Sequence, residues 1–197
     1  SALKASAFGG AGMAEAINGP RAFLESKLAV NQSDKNIADR RLKRAIDDGE
    51  VDEEEVEHWN KSWQAVLYHR DLVQRSLRTR FGDNIVVFRG EEDRESYRDT
   101  LKALVEDPNP LEHKLHGIQS WSSEYASARS FGPVRMAVVP VENVFASSLA
   151  SPLFVDSYER EILLFGDKNV RTIPVPGSLS DEKTKRAFAE ALNKMGI

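Results

Sequence analysis

The chain has 197 residues, with 27 Lys and Arg against 31 Asp and Glu, four His and no Cys. That length suits one packed domain, and the net charge of −4 gives no electrostatic case for a nucleic-acid binder. The lack of cysteine excludes disulfides, thiolate catalysis and cysteine-ligated metals, and no apolar run approaches the roughly 18 residues that span a bilayer. Residues 1–20 are rich in Ala, Gly and Ser around Gly9-Gly10-Ala11-Gly12 and predict a flexible arm. They carry no signal-peptide pattern, and because the first residue is Ser a targeting segment can be missing. Residues 21–197 are expected to form one domain, helical over 21–82 and β-rich over 83–197.

Pro20 suits a first helical position and predicts a short helix over Arg21 to Val30. A second helix is expected from Lys35 to Asp48, with Ile37, Leu42 and Ile46 on one face and Gly49 as its stop. Asp52 starts the longest, running to about Thr79. Glu53, Glu54 and Glu55 fill its first turn and Arg75, Arg78 and Arg80 its far end, as the helix dipole favours. Val56, Trp59, Trp63, Val66, Val73 and Leu77 recur at steps of three and four and mark its buried stripe.

Beyond Gly82 the character changes to strands. Ile85 to Phe88 reads as a buried strand delivering Arg89-Gly90 at its end, and Glu91 to Glu106 as a charged helix broken by Asp107-Pro108-Asn109-Pro110. A strand over His116 to Ser123 and a short helix over Tyr125 to Arg129 follow. Val134 to Val141 is a further strand, with Val144-Phe145 packing near it. A loop is expected over Ala146 to Tyr158, then strands from Glu161 and over Val170 to Val175, and a last helix over Ser180 to Met195. Helices first and strands mostly after argue an α+β fold with antiparallel or mixed pairing. His58, His69, His113 and His116 are too dispersed for a metal site unless His113-x-x-His116 meets on a helical turn, and no metal is expected.

Three stretches carry chemistry. An arginine leaving a buried strand suits a dianionic phosphate, because its planar fork binds two oxygens at once. A serine in a turn, here in Ser120-Trp121-Ser122, can hold a carboxylate by hydrogen bonding. Strand alternation across Glu159-Arg160-Glu161 would put both carboxylates on one face, which is unfavourable unless something cationic meets them. A sugar oxocarbenium ion is such a partner. At about 4 Å and an effective dielectric near 20, one carboxylate stabilises that cation by about 4 kcal/mol. This is on the order of a thousandfold in rate. The three pieces together suggest cleavage of an N-glycosidic bond in a phosphate-bearing substrate.

The order Phe88-Arg89-Gly90, Ser120-Trp121-Ser122, Glu159-Arg160-Glu161 resembles the Arg / Ser-Thr-Ser / Glu-x-Glu class of mono-ADP-ribosyltransferases. That class includes bacterial toxins, type III effectors and vertebrate ecto-enzymes. The likeness covers about Ile85 to Val175, and a helical N-terminal segment is also typical of it. It implies a mainly antiparallel two-sheet core behind that segment. It further implies that Arg89, with Gly90 and Ser122 beside it, holds NAD, and that Ser120 positions the catalytic glutamate. Glu161 would hold the nicotinamide ribose and stabilise the oxocarbenium, while Glu159 engages an acceptor arginine. Phe131 resembles the aromatic that packs on nicotinamide, and Leu149 to Tyr158, with Phe154 and Tyr158, resembles the loop that meets the protein target. Trp121 departs from the family threonine, although alternation should send it away from the paired serines.

The resemblance implies an arginine-directed transferase that moves ADP-ribose from NAD to a host protein. It would act as a monomer, as a secreted bacterial effector translocated into the host cytosol or else in the bacterial cytoplasm. Its partners would be NAD, as substrate, and an arginine-bearing protein, with no nucleic acid, membrane or metal. Two alternatives stand beside it. One is an NAD glycohydrolase; the other is a binding module that keeps the fold but has an altered substrate site.

Overall fold

The structure is a computed structural model. It describes residues 18–29, 31–115, 117–151, 155, 158, 160–166 and 169–197, so most of the expected N-terminal arm lies outside the described residues. The chain is mixed α/β, with six α-helices among the described residues and one antiparallel sheet of seven strands.

Helix α1 (Asn18–Leu28) starts three residues before the expected Arg21, so Pro20 lies in its first turn, where a missing N–H costs no helical bond. Helix α2 (Gln32–Asp47) is capped by Asn31, whose side chain accepts from the Asp34 N–H at 2.9 Å. Its buried residues are Ala38 and Ala45, whereas Ile37 is 40% exposed. Leu42 of the expected face packs half-buried against the core and Ile46 is half-buried too, whereas Ile37 turns outward, because α1 and α2 lie close enough that small residues fill their contact. Helix α3 (Glu53–Phe81) opens on a capping box, Asp52 accepting from Glu55 N–H at 2.7 Å and Glu55 from Asp52 N–H at 3.3 Å. The acidic run is therefore helix-start chemistry.

The strands are β1 (Asn84–Gly90), β2 (Leu111–Lys114), β3 (Gly117–Ser122), β4 (Val134–Pro140), β5 (Val144–Ser147), β6 (Glu161–Gly166) and β7 (Asn169–Pro174). Helices α4 (Arg94–Glu106) and α5 (Tyr125–Arg129) lie between strands, and α6 (Glu182–Met195) closes the chain. Strand β2 was not expected, since Leu-Glu-His-Lys is short and polar; it forms by pairing with β7. His113 therefore sits on a strand instead of a helical turn, and His116 lies outside the described residues. Strand β1 is half-buried instead of buried, with Ile85 and Val87 inside and Val86 exposed.

The sheet runs in the order β2-β7-β4-β1-β3-β6-β5. The expected arrangement of two separate sheets is replaced by one continuous sheet, because β1 and β3 pair at Phe88↔Ser122. On either side of that seam the pairing is long: β1 matches β4 from Asn84↔Pro140 to Gly90↔Val134, and β3 matches β6 from Gly117↔Gly166 to Ser122↔Glu161. Ile85, Val87, Ala137 and Val139 from one half share a buried cluster with Trp121, Ile162 and Leu164 from the other. The sheet thus curls so that these faces meet. Val73 and Leu77 of α3 join the same cluster, while Trp59 and Val66 pack with Ile118 and Leu163 on the reverse face of the β3–β6 half. Helices α4 and α6 cover the reverse face of the other half through Leu104, Ala191 and Met195. Among the described residues no helix is long and apolar enough to cross a membrane.

Leu77 is fully buried and Ile37 is not. Leu77→Ala is expected to lower unfolding free energy by about 2–5 kcal/mol, and Ile37→Ala to change it by no more than about 0.5 kcal/mol. Urea unfolding of the two variants checks this, and equal losses would contradict the packing described.

Candidate functional site

The seam between the two halves opens into a cavity of about 210 Å³. From β3 and β6 it is lined by Ser120, Trp121, Ser122 and Glu161, from β1 by Phe88, Arg89 and Gly90, and beyond α5 by Phe131. Six of the residues picked out from the sequence (Arg89, Gly90, Ser120, Ser122, Phe131 and Glu161) are thereby brought to one place. Glu159 and Phe154 lie outside the described residues. Tyr158 is 96% exposed and is not among the residues lining the cavity.

Glu161 begins β6 and stands directly across from Ser122. It is only 6% exposed, and its Oε1 accepts from the Ser120 hydroxyl at 2.7 Å. A buried carboxylate is costly unless hydrogen-bonded, so Ser120 both stabilises and aims it. Ser122 acts on the backbone. Its Oγ accepts from the Glu124 N–H at 3.1 Å, which turns the chain into α5. The expected alternation through Glu159 and Glu161 falls partly on Glu159, outside the described residues; strand β6 is described from Glu161. Arg160 before it adopts the left-handed region at φ 53°, and its carbonyl accepts from the Ser123 N–H at 2.9 Å.

Gly90 shapes the wall. A Cβ there would lie 2.3 Å from the Ala128 carbonyl oxygen and 2.7 Å from Phe131 Cβ, so only glycine lets α5 and Phe131 close on β1. Phe131 itself is 55% exposed, an aromatic ring on the rim of the cavity instead of a core residue.

Arg89 departs from its expected setting. Alternation places it on the inner face, opposite to Phe88, Ser122 and Glu161. Its Nη1 donates to Gln119 Oε1 at 3.0 Å, and its Cζ sits 5.9 Å from the centre of the Trp121 ring. Trp121 is 2% exposed within the inner cluster, turned away from Ser120 and Ser122 as alternation requires. Its indole N–H donates to the same Gln119 oxygen at 3.3 Å. Around them stand His113, with Nε2 3.3 Å from that oxygen, and Arg135, directly across the strands from Arg89. Arg135 forms an ion pair with Glu91 and donates to Thr172 Oγ1 at 3.2 Å. Burial pushes the His113 pKa down, the Gln119 contact raises it, and the neighbouring Arg135 and Arg89 lower it further.

Sequence reasoning missed Gln119, Arg135 and Glu91, and weighed His113 only as a metal ligand. Gln119 was legible in principle, because it shares a strand face with Trp121, whereas the other three reach the site only through sheet register. Among the described residues no cluster of three His, Asp or Glu could hold a metal ion. Comparison with protein-family models, with curated proteins and with solved structures gives no match.

Two outcomes follow from this geometry. Trp121→Thr is expected to destabilise the protein by about 3–5 kcal/mol, since it empties a buried ring site, and thermal melting checks it. A variant as stable as the parent would contradict the buried placement. The second concerns pH. His69 and His113 both have pKa values lowered from the ordinary 6.5, with burial the leading cause for each. The unfolded chain therefore takes up protons first as pH falls, so stability is full above about 6.5 and declines as pH drops towards the folded values. Urea midpoints between about pH 7.5 and 5 are expected to fall less steeply in a His69→Gln/His113→Gln variant. An unchanged slope would contradict it.

Proposed function

We propose that the protein is an arginine-directed mono-ADP-ribosyltransferase that moves ADP-ribose from NAD to an arginine of a host protein, in the manner of a bacterial effector. The observation that carries the reading is the Ser120–Glu161 hydrogen bond of 2.7 Å inside a cavity that Arg89 and an exposed Phe131 also line. This donor set suits one end of NAD: a flat ring, a sugar that becomes cationic, and a phosphate beyond it. At about 210 Å³ the cavity is below the roughly 300 Å³ of a usual small-molecule site, so it suits the nicotinamide–ribose end and leaves the rest of the dinucleotide outside.

In this reading the bond from the nicotinamide nitrogen to the ribose C1′ breaks with its electron pair leaving on nicotinamide, which departs neutral. Glu161, desolvated and aimed by Ser120, faces the cation left on the ribose. A guanidine nitrogen of the acceptor forms the new bond to C1′ and gives up a proton, for which Glu159 is the base. Tyr158, almost wholly exposed and just ahead of these glutamates in the chain, is the residue that meets the acceptor protein.

Labelled NAD incubated with the protein and a host-cell lysate, followed by separation of protein-bound label from free ADP-ribose, tests the reading. Glu161→Ala is expected to lose both transfer and hydrolysis, and Glu159→Ala to lose transfer while keeping hydrolysis. Equal residual transfer in the two variants would contradict these roles. Free ADP-ribose alone from the parent protein would indicate a glycohydrolase.

A further inference from the structure

We infer that Gln119 is the positioning residue for Arg89, orienting the guanidinium through a neutral acceptor; this rests on the transferase reading, in which Arg89 meets the phosphate side of NAD. The inner face of the sheet sets a physical problem at this point. Arg89 and Arg135 stand directly opposite on β1 and β4, a like-charged cross-strand pair. Arg135 is drawn to one side by Glu91 and Thr172, and its side chain is only 13% exposed. Arg89 goes the other way, to Gln119 Oε1 at 3.0 Å and over the Trp121 ring.

The chemistry of the neighbours decides which end of the amide they meet. Arginine and the indole nitrogen are donors only, so the oxygen of Gln119 must face them. That oxygen in turn requires a donor from His113, whose Nε2 lies 3.3 Å away and therefore carries the ring proton. Three donors from β1, β2 and β3 thus converge on one neutral acceptor. A carboxylate at the same position would hold Arg89 equally well but would weaken its pull on a phosphate. An amide orients the fork without bringing a negative charge to it.

The test combines steady-state kinetics with a measurement that needs no substrate. In the full chain, Gln119→Leu is expected to raise KM for NAD about tenfold, as loss of a charge-assisted hydrogen bond gives, with kcat changed less than about threefold. The same loss should appear in Arg89→Ala, and the double variant should be no worse than Arg89→Ala alone. Gln119→Glu, equal in size, should fold, keep the Arg89 side-chain N–H signals slowly rotating by NMR, and still raise KM. In Gln119→Leu those signals should average and the Trp121 indole N–H should exchange faster with solvent. Unchanged Arg89 and Trp121 signals in Gln119→Leu would overturn the inference, as would losses that add in the double variant or an unchanged KM in Gln119→Glu. A parent protein that neither binds nor cleaves NAD, but whose Arg89 signals still depend on Gln119, would sink the transferase reading and leave the positioning role standing.

Discussion

The site of this protein depends on one cross-strand pair, Phe88↔Ser122. It joins two well-paired halves of a sheet whose inner faces then collapse onto a shared apolar cluster. A seam this narrow lets the halves diverge just beyond it, and the cavity opens in that divergence. Strand β1 brings Arg89 and Gly90 to its edge one and two residues past the pair. Strand β3 brings Ser120 two residues before it, and Glu161 enters as the register partner of Ser122. A longer pairing of β1 with β3 would fill the space with backbone hydrogen bonds.

Burial organises the two faces differently. On the face towards α1–α3, the carboxylate of Glu161 is almost wholly removed from water and compensated by a hydroxyl, which keeps it oriented. On the inner face two arginines are set opposite each other, and each is drawn away by its own polar neighbours. Burial also keeps His113 disposed to stay neutral, so it does not add a third cation beside them. Both arrangements hold a charge in a water-poor setting, where a developing charge on a substrate would feel it most strongly.

Much of the scaffold was legible along the chain. The capping signal at Asp52, the apolar stripe of α3 and the apolar core of the β6 strand are local, and the structure has elements there. The errors have local causes too. Strand β2 lacks an apolar pattern because it is an edge strand held by β7, and Ile37 is exposed because α1 comes close enough for alanines to make the contact. Gln119 escaped notice because its place on the Trp121 face of β3 gains meaning only when donors from β1 and β2 reach the same oxygen.

The sequence by itself determined the mixed helix-and-strand class, the order of most elements, and the residue types of the site, since each follows from periodicity, caps and side-chain chemistry read over a few neighbours. Alternation along β3 alone was enough to send Ser120 and Ser122 one way and Trp121 the other. Only the tertiary structure decided that Arg89 faces inward to Gln119, that Arg160 takes a left-handed backbone just before β6, and that the sheet is continuous through Phe88↔Ser122. These depend on register between strands distant in the chain. Register is set by how whole faces pack, which no local window of sequence contains.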